Sequence, residues 1–220
     1  MSKYINENLY PILNTHEFGR IFLKNIHHFE HLQEILSKTQ HEWIGCGSYL
    51  MNGHTLNYCV DMFEKQCLLY DICKNINHVL EIGVHGGHSL FIMLLANPKL
   101  KITCIDLCEF SHVQDCLLYL SSIFTECTIQ FYKGSSIDIL PNITDNLIKN
   151  KIDFSHIDGN HDCNIIKMEM DIILNILEKN NFILFDDISG YLYNIITNEP
   201  KLKIIKIPQC VYANCLTQII

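Results

Sequence analysis

The segment Ile152-Asp153-Phe154-Ser155-His156-Ile157-Asp158-Gly159-Asn160-His161 decides the fold, read together with Phe182-Ile183-Leu184-Phe185-Asp186-Asp187. Each begins as a short apolar run and ends in carboxylates. Runs of this length, bounded by turn residues, have the pattern of buried parallel strands. In open α/β sheets the ligand sits outside the carboxyl ends of the strands. Asp158, Asp186 and Asp187 are therefore expected along one sheet edge with the imidazole of His161. Hard oxygen ligands with a base beside them suit a divalent cation.

Outward from this segment the chain alternates. Strands are expected at 78–84, 101–107, 128–133, 152–157 and 182–185, and helices at 89–96, 111–124, 136–140, 144–150 and 163–178. Asn180-Asn181 stands where a left-handed residue closes a helix, a place Asn takes almost as readily as Gly. The tail reads as two strands, 203–207 and 211–219, joined at Pro208-Gln209 and so antiparallel. Upstream, apolar spacing predicts a helix over 17–40, a glycine-containing loop over 43–53 and a second helix over 54–75. The expectation is an α/β fold: a Rossmann-like, doubly wound, mostly parallel sheet with a C-terminal antiparallel hairpin and helices on both faces. Residues 1–53 form an N-terminal helical extension or lid, with Trp43, Tyr49 and Met51 as a substrate wall, and 54–220 form the main domain.

Composition narrows the function classes. With 220 residues, 48% hydrophobic and 18% charged, the chain can bury a sizeable core. Its formal net charge of −8 argues against a nucleic-acid partner, whose phosphates need a basic surface. No long uncharged apolar window suggests a membrane span, and the N-terminus lacks the apolar core of a secretion signal. The 11 cysteines are odd in number and form no CxxC pair, so they read as small core hydrophobes of a cytoplasmic protein. His27, His28 and His31 can share one helix face, where packing is the simpler role.

The first strand ends Glu81-Ile82-Gly83-Val84-His85-Gly86-Gly87-His88-Ser89. Glycines at a strand–helix turn let backbone approach a ligand closely. The dinucleotide pattern GxGxxG is not met, because His85 occupies the place of its second glycine. That disfavours an NAD-dependent oxidoreductase. Asp106 ends the second strand where ribose hydroxyls are gripped, and Gly134-Ser135-Ser136 ends the third in a small polar turn fit for an adenine edge.

From about residue 45 onward the chain resembles the class I S-adenosylmethionine-dependent methyltransferases. Among them it is similar to the metal-dependent O-methyltransferases of the catechol and macrolide-sugar types. The resemblance rests on the segment 81–89, Asp106, Gly134-Ser135-Ser136, the segment 156–161 and Phe185-Asp186-Asp187, in the family's order. It implies that Glu81, Gly83 and Ser89 hold the methionine part of the cofactor, with His85 and Gly87 in the same loop. Asp106 would take the ribose, Ser135 and Ser136 the adenine, and Asp158 would border the cofactor as well as the metal. Asp158, Asp186 and Asp187 would bind Mg²⁺ or a similar divalent cation. His161 stands three residues after the first metal carboxylate, the position of the family's base, a lysine in the catechol type and a histidine in the sugar type. Asn180-Asn181 replaces a glycine pair common before the last metal-bearing strand.

A hydroxyl needs to lose its proton before it attacks, and histidine's ordinary pKa of about 6.5 leaves neutral imidazole available at pH 7. The expected activity is methyl transfer to a small-molecule hydroxyl, with a sugar favoured by the His base and the acidic surface. The rivals are a catechol or phenol acceptor, a non-catalytic cofactor-binding scaffold and, against the charge, an RNA methyltransferase. Taken singly, Asp158 reads equally as a cap of the next helix with Asn160 or Asp162, and Asp186-Asp187 as the start of a turn; His156 reads as a hydrogen-bonded core residue. The apolar N-terminal helices are compatible with packing on a second subunit as a homodimer.

Overall fold

Seven strands form one sheet: β1 (His78–Ile82), β2 (Lys101–Asp106), β3 (Thr128–Lys133), β4 (Phe154–Ile157), β5 (Phe182–Phe185), β6 (Leu202–Lys206) and β7 (Cys215–Ile219). The computed structural model describes residues 2–208 and 214–220. The strand order is β3-β2-β1-β4-β5-β7-β6. The first five are parallel, and β7 runs antiparallel to both β5 and β6. This is the mostly parallel, doubly wound sheet with an antiparallel close that the alternation implied. Residues 211–213 of the expected last strand, and Gln209 of its turn, lie outside the described residues.

Successive strands step one way from β1 to β3, and β4 starts again on β1's other side. That reversal is a topological switch point, where adjacent strand ends diverge and leave a crevice. β1 and β4 are buried throughout, as central parallel strands with two covered faces should be. By contrast β3, at one edge, is half-buried along its middle and exposed at both ends.

The chain divides into two compact units. The sheet unit comprises Ile76–Val84, Leu100–Leu107 and Thr128–Ile220. Its core is built on Leu80, Ile82, Ile157, Ile183 and Phe185 of the strands, with Leu140, Leu147, Ile166, Met170 and Ile173 of its helices. The helical unit comprises Met1–Asn75, His85–Lys99 and Cys108–Cys127. It contains α1 (Tyr10–Leu13), α2 (Glu17–Lys24), α3 (Ile26–Ser37), α4 (Gln40–Trp43), α5 (Phe63–Cys73), α6 (His88–Ala96) and α7 (His112–Ile123). Phe18, Phe22, Phe29, Tyr58 and Phe91 form its aromatic centre.

Several expectations on the helices are corrected. The helix expected over 17–40 breaks at Asn25, whose backbone leaves helical space and whose side-chain amide donates to the Ile21 carbonyl. The helix expected over 54–75 begins only at Phe63, because the Asn52 carboxamide accepts the His54 and Thr55 N–H groups and fixes a turn there. Pro141 does not divide its region: α8 runs unbroken over Ser136–Asn150. Asn142 and Thr144 donate side-chain hydrogen bonds to the Asp138 and Leu140 carbonyls and reinforce the turn around the proline. The next helix, α9 (Cys163–Ile173), is shorter than expected. Asn180 is left-handed, at φ +74°, yet caps no helix; its N–H pairs with the Ile219 carbonyl. A helix not expected at all, α10 (Gly190–Asn198), follows β5; its signals were Ser189 as N-cap and Leu192 and Ile196 one turn apart. Trp43, Tyr49 and Met51 are buried core residues of the helical unit. His28 and His31 pack on Tyr119 within that unit, in the expected packing role.

Candidate active site

Strand ends position the acidic residues. Beyond the last strand residues the parallel ladder continues for one more bond on each strand: Asp158 N–H donates to the Ile82 carbonyl at 2.8 Å, and Asp186 N–H to the Ile157 carbonyl at 2.9 Å. The two aspartates are thereby fixed side by side at the carboxyl edge, at the ends of the adjacent strands β4 and β5. Gly83, also at this edge, has φ +89°, and a Cβ there would lie 2.1 Å from the Asp158 carbonyl oxygen. No side chain fits, so the glycine is what lets β1 and β4 end in contact.

His156 joins Asp158 and Asp186. One ligating atom from each of the three lies within 4.8 Å of the others. His156 is wholly buried and Asp186 is 3% exposed, while Asp158 is half-buried. His156 pairs across the sheet with Glu81, and its Nδ1 lies 2.8 Å from Glu81 Oε2. An ionised carboxylate only accepts, so Nδ1 is the donor to Glu81. A histidine held from behind by a carboxylate, with two further carboxylates in reach, is the usual outer and inner shell of a bound cation. Glu81, expected at the cofactor, is thus committed through one oxygen to His156. The reading of His156 as a hydrogen-bonded core residue holds, but it is also part of the acidic group.

Asp187 does not enter that trio. Its φ of +48° is unusual outside glycine, and its Oδ2 lies 3.6 Å from His161 Nε2. His161 is about half exposed, with 47% of its side chain open to solvent. Of the expected metal and base residues, Asp158 and Asp186 therefore group with His156, which was not among them, while His161 and Asp187 form an outer pair. The alternative duties of these aspartates fall to neighbours. Asp162 caps α9, its carboxylate accepting the Asn164 and Ile165 N–H groups at 2.9 and 3.3 Å. Ser189 caps α10 by accepting the Leu192 N–H.

The remaining expected residues of the sheet unit line the neighbouring strand ends. Asp106 Oδ2 accepts the Val84 N–H at 2.7 Å and so ties the end of β2 to the turn after β1. Ser135 takes the extended backbone of an N-cap, and Ser136 opens α8 with its hydroxyl against the buried carboxyl of Glu169. Glu169 was not anticipated from sequence; its place among Ile166, Met170 and Ile173 on α9's buried face was the available signal.

His85, Gly87 and Ser89 belong to the helical unit. His85 has φ +48°, so the histidine adopts the backbone its glycine counterpart in GxGxxG would take, and its ring packs edge-on against Phe110 and His112. Gly87, at φ +69°, is the left-handed N-cap of α6, and Ser89 is buried in that helix's first turn.

Residues 80–188 match a family model described as a methyltransferase domain. Among solved structures the chain is similar to the cofactor-bound protein Rv0187 from MTB, with a TM-score of 0.61 at 13% identity over 84% of this chain and 88% of that one. It is also similar to the O-methyltransferase from Bacillus cereus in complex with SAH, with a TM-score of 0.56 at 15% identity over 86% and 90%. A third is the O-methyltransferase TomG from Streptomyces achromogenes, involved in tomaymycin synthesis and solved with SAM, with a TM-score of 0.57 at 13% identity over 70% and 79%. No curated protein sequence matches the chain.

Proposed function

Residues 80–188 belong to the methyltransferase-domain family, and from that premise we propose that the chain transfers the methyl of S-adenosylmethionine to a hydroxyl of a small molecule with the help of a divalent cation. The observation that carries the cation is the convergence of His156, Asp158 and Asp186, with helix-capping left to Asp162 and Ser189. The donor set fits: two carboxylates suit Mg²⁺, and the imidazole nitrogen admits Mn²⁺ or a similar first-row ion as well. Asp187, expected in the ligand set, would act at its border through His161. A cation held there lowers the pKa of an acceptor hydroxyl.

S-adenosylmethionine brings an electrophilic methyl on its sulfonium, so no covalent enzyme intermediate is needed. Gly83 would let the cofactor approach the backbone, Asp106 would take the ribose, Ser135 and Ser136 the adenine edge, and Asp158 would border both ligands. The loop residues His85, Gly87 and Ser89 keep the role that the resemblance implies. Neutral His161 would take the acceptor's proton, and Asp187, 3.6 Å away, would stabilise the imidazolium that results. A solvent-open base suits a sugar or other polyol, which ionises reluctantly; a catechol or phenol, which needs less help, is the second reading. The proposal places the reaction in the cytoplasm.

The test is transfer of labelled methyl from S-adenosylmethionine to a panel of sugars and catechols, with Mg²⁺, Mn²⁺ or chelator present, in wild type and His161→Gln. Transfer that requires a cation and drops roughly 10²- to 10⁴-fold in His161→Gln is expected. Transfer indifferent to chelator would overturn the cation, and no transfer with any acceptor would favour the scaffold.

A further inference from the structure

Glu169 has no part in the reaction as read above, yet it is fully buried, at 0% exposure. Its Oε1 meets the Ser136 hydroxyl, and its Oε2 is buried without a hydrogen-bond partner. An ionised carboxylate in such a place is costly, and an apolar side chain would fill the same space without that cost. Its hydrogen-bond partner among the described residues, Ser136, opens α8 at the end of β3, where the proposed function places adenine.

We propose that Glu169 is a positioning residue for the cofactor, setting whether the Ser136 hydroxyl offers its proton or a lone pair to the adenine edge. The inference rests on the methyltransferase reading and names one further determinant of cofactor binding. An ionised carboxylate can only accept, so Ser136 would donate inward to Oε1 and turn lone pairs outward. A protonated carboxyl donates to Ser136 Oγ instead and releases the hydroxyl proton to the ligand. The first-turn N–H groups of a helix lack intrahelical acceptors and call for acceptors on whatever faces them. A ring nitrogen of adenine meets that demand, so the protonated state of Glu169 is the cofactor-tight state.

The acid is poised for this role. Burial pushes the Glu169 carboxyl up to about 7, with the Ser136 hydrogen bond pulling less strongly the other way. The charged groups on the helices around it are Asp138, Asp145 and Lys149 of α8 and Lys167 and Asp171 of α9, all exposed; α10 carries only the exposed Tyr191 and Tyr193. Tyr132 of β3 and Cys163 of α9 are half-buried, and none of these groups moves the Glu169 carboxyl.

The experiment is calorimetric binding of S-adenosylhomocysteine from pH 6 to pH 8.5 by wild type, Glu169→Gln and Ser136→Ala. Wild-type affinity should fall about 3- to 10-fold across that range, the worth of one hydrogen bond. Glu169→Gln, which has no titrating proton, should give a flat profile over this range, and Ser136→Ala should bind weakly at every pH. If Glu169→Gln does not fold, Ser136→Ala decides: a flat profile supports the inference and a wild-type slope overturns it. A Glu169→Gln profile that still falls like wild type overturns the inference alone, whereas no binding by wild type at any pH removes the methyltransferase reading along with it.

Discussion

Among the buried histidines, His88 of the helical unit and His156 of the sheet unit form the sharpest contrast, an imidazole closed among neutral groups against one set among carboxylates. His88 is flanked by neutral groups: Nδ1 meets the Ser48 hydroxyl, and Nε2 lies 2.8 Å from the Gln33 carboxamide oxygen. Burial, helped by His85 and His112, pushes its pKa down to about 3, so it is a neutral joint in the core. His156 is no less buried, but a carboxylate stands behind it and two more stand beside it. Burial alone therefore says little about a histidine's role. The charge of its partners is what sets His156, among carboxylates, apart from His88, among neutral groups.

The comparison breaks most decisively at the aspartates. Asp158→Asn with Asp186→Asn should abolish divalent-cation binding and lower methyl transfer by roughly 10³-fold, with a melting temperature no lower than wild type. Retained cation binding in a Mn²⁺ titration would make His156 as structural as His88.

On the other side, His88 should leave a mark on stability. It is neutral when folded and takes up a proton when unfolded at about 6.5. Its contribution is therefore full above pH 6.5 and is lost as pH falls toward about 3, an effect on the order of 4 kcal/mol. Denaturant melts of wild type and His88→Gln over pH 3–7 should show that part of the slope vanishing in the variant; an unchanged slope would place the acid sensitivity elsewhere.

Smaller changes exchange the partners. Glu81→Gln should weaken cation affinity by about 10- to 100-fold, the usual cost of losing a carboxylate behind a ligating histidine. Unchanged affinity would mean that His156 is not a ligand. The mirror variant, Gln33→Glu, brings a carboxylate to His88 and should raise its pKa by about one pH unit or more, read from its ring resonances by NMR. A His88 still titrating near 3 would show that burial outweighs partner charge in the helical unit.

Much of the sheet was legible because its signals are local. Short apolar runs ending in Asp106, Asp158 and Asp186 became β2, β4 and β5 with those residues at their carboxyl ends. The helices were harder to place where a side chain redirected the backbone. Asn25 broke one, Asn52 delayed another, and Asn142 and Thr144 carried α8 past a proline that reads as a stop. α10 was overlooked because its apolar period is short and rich in β-branched residues, which suit a strand as well as a helix. In the candidate site, the places of Asp158, Asp186 and His161 after strand ends were legible in the sequence. The partition between His156 and Asp187 was not, since strand-end position does not say which side chains turn inward.

The sequence by itself determined the order of strands and helices, the carboxyl edge on which the acids fall, and the match of residues 80–188 to the methyltransferase-domain family. These depend on residues near one another in the chain, where periodicity and turn chemistry act directly. Tertiary structure alone decided that Glu81 stands behind His156, 75 positions away, and that Glu169 meets Ser136 across 33. Those pairings follow from the parallel register of β1 on β4 and from the packing of α9 on α8. Both are long-range choices, made when whole elements bury their apolar faces together, and no local pattern in the chain encodes them.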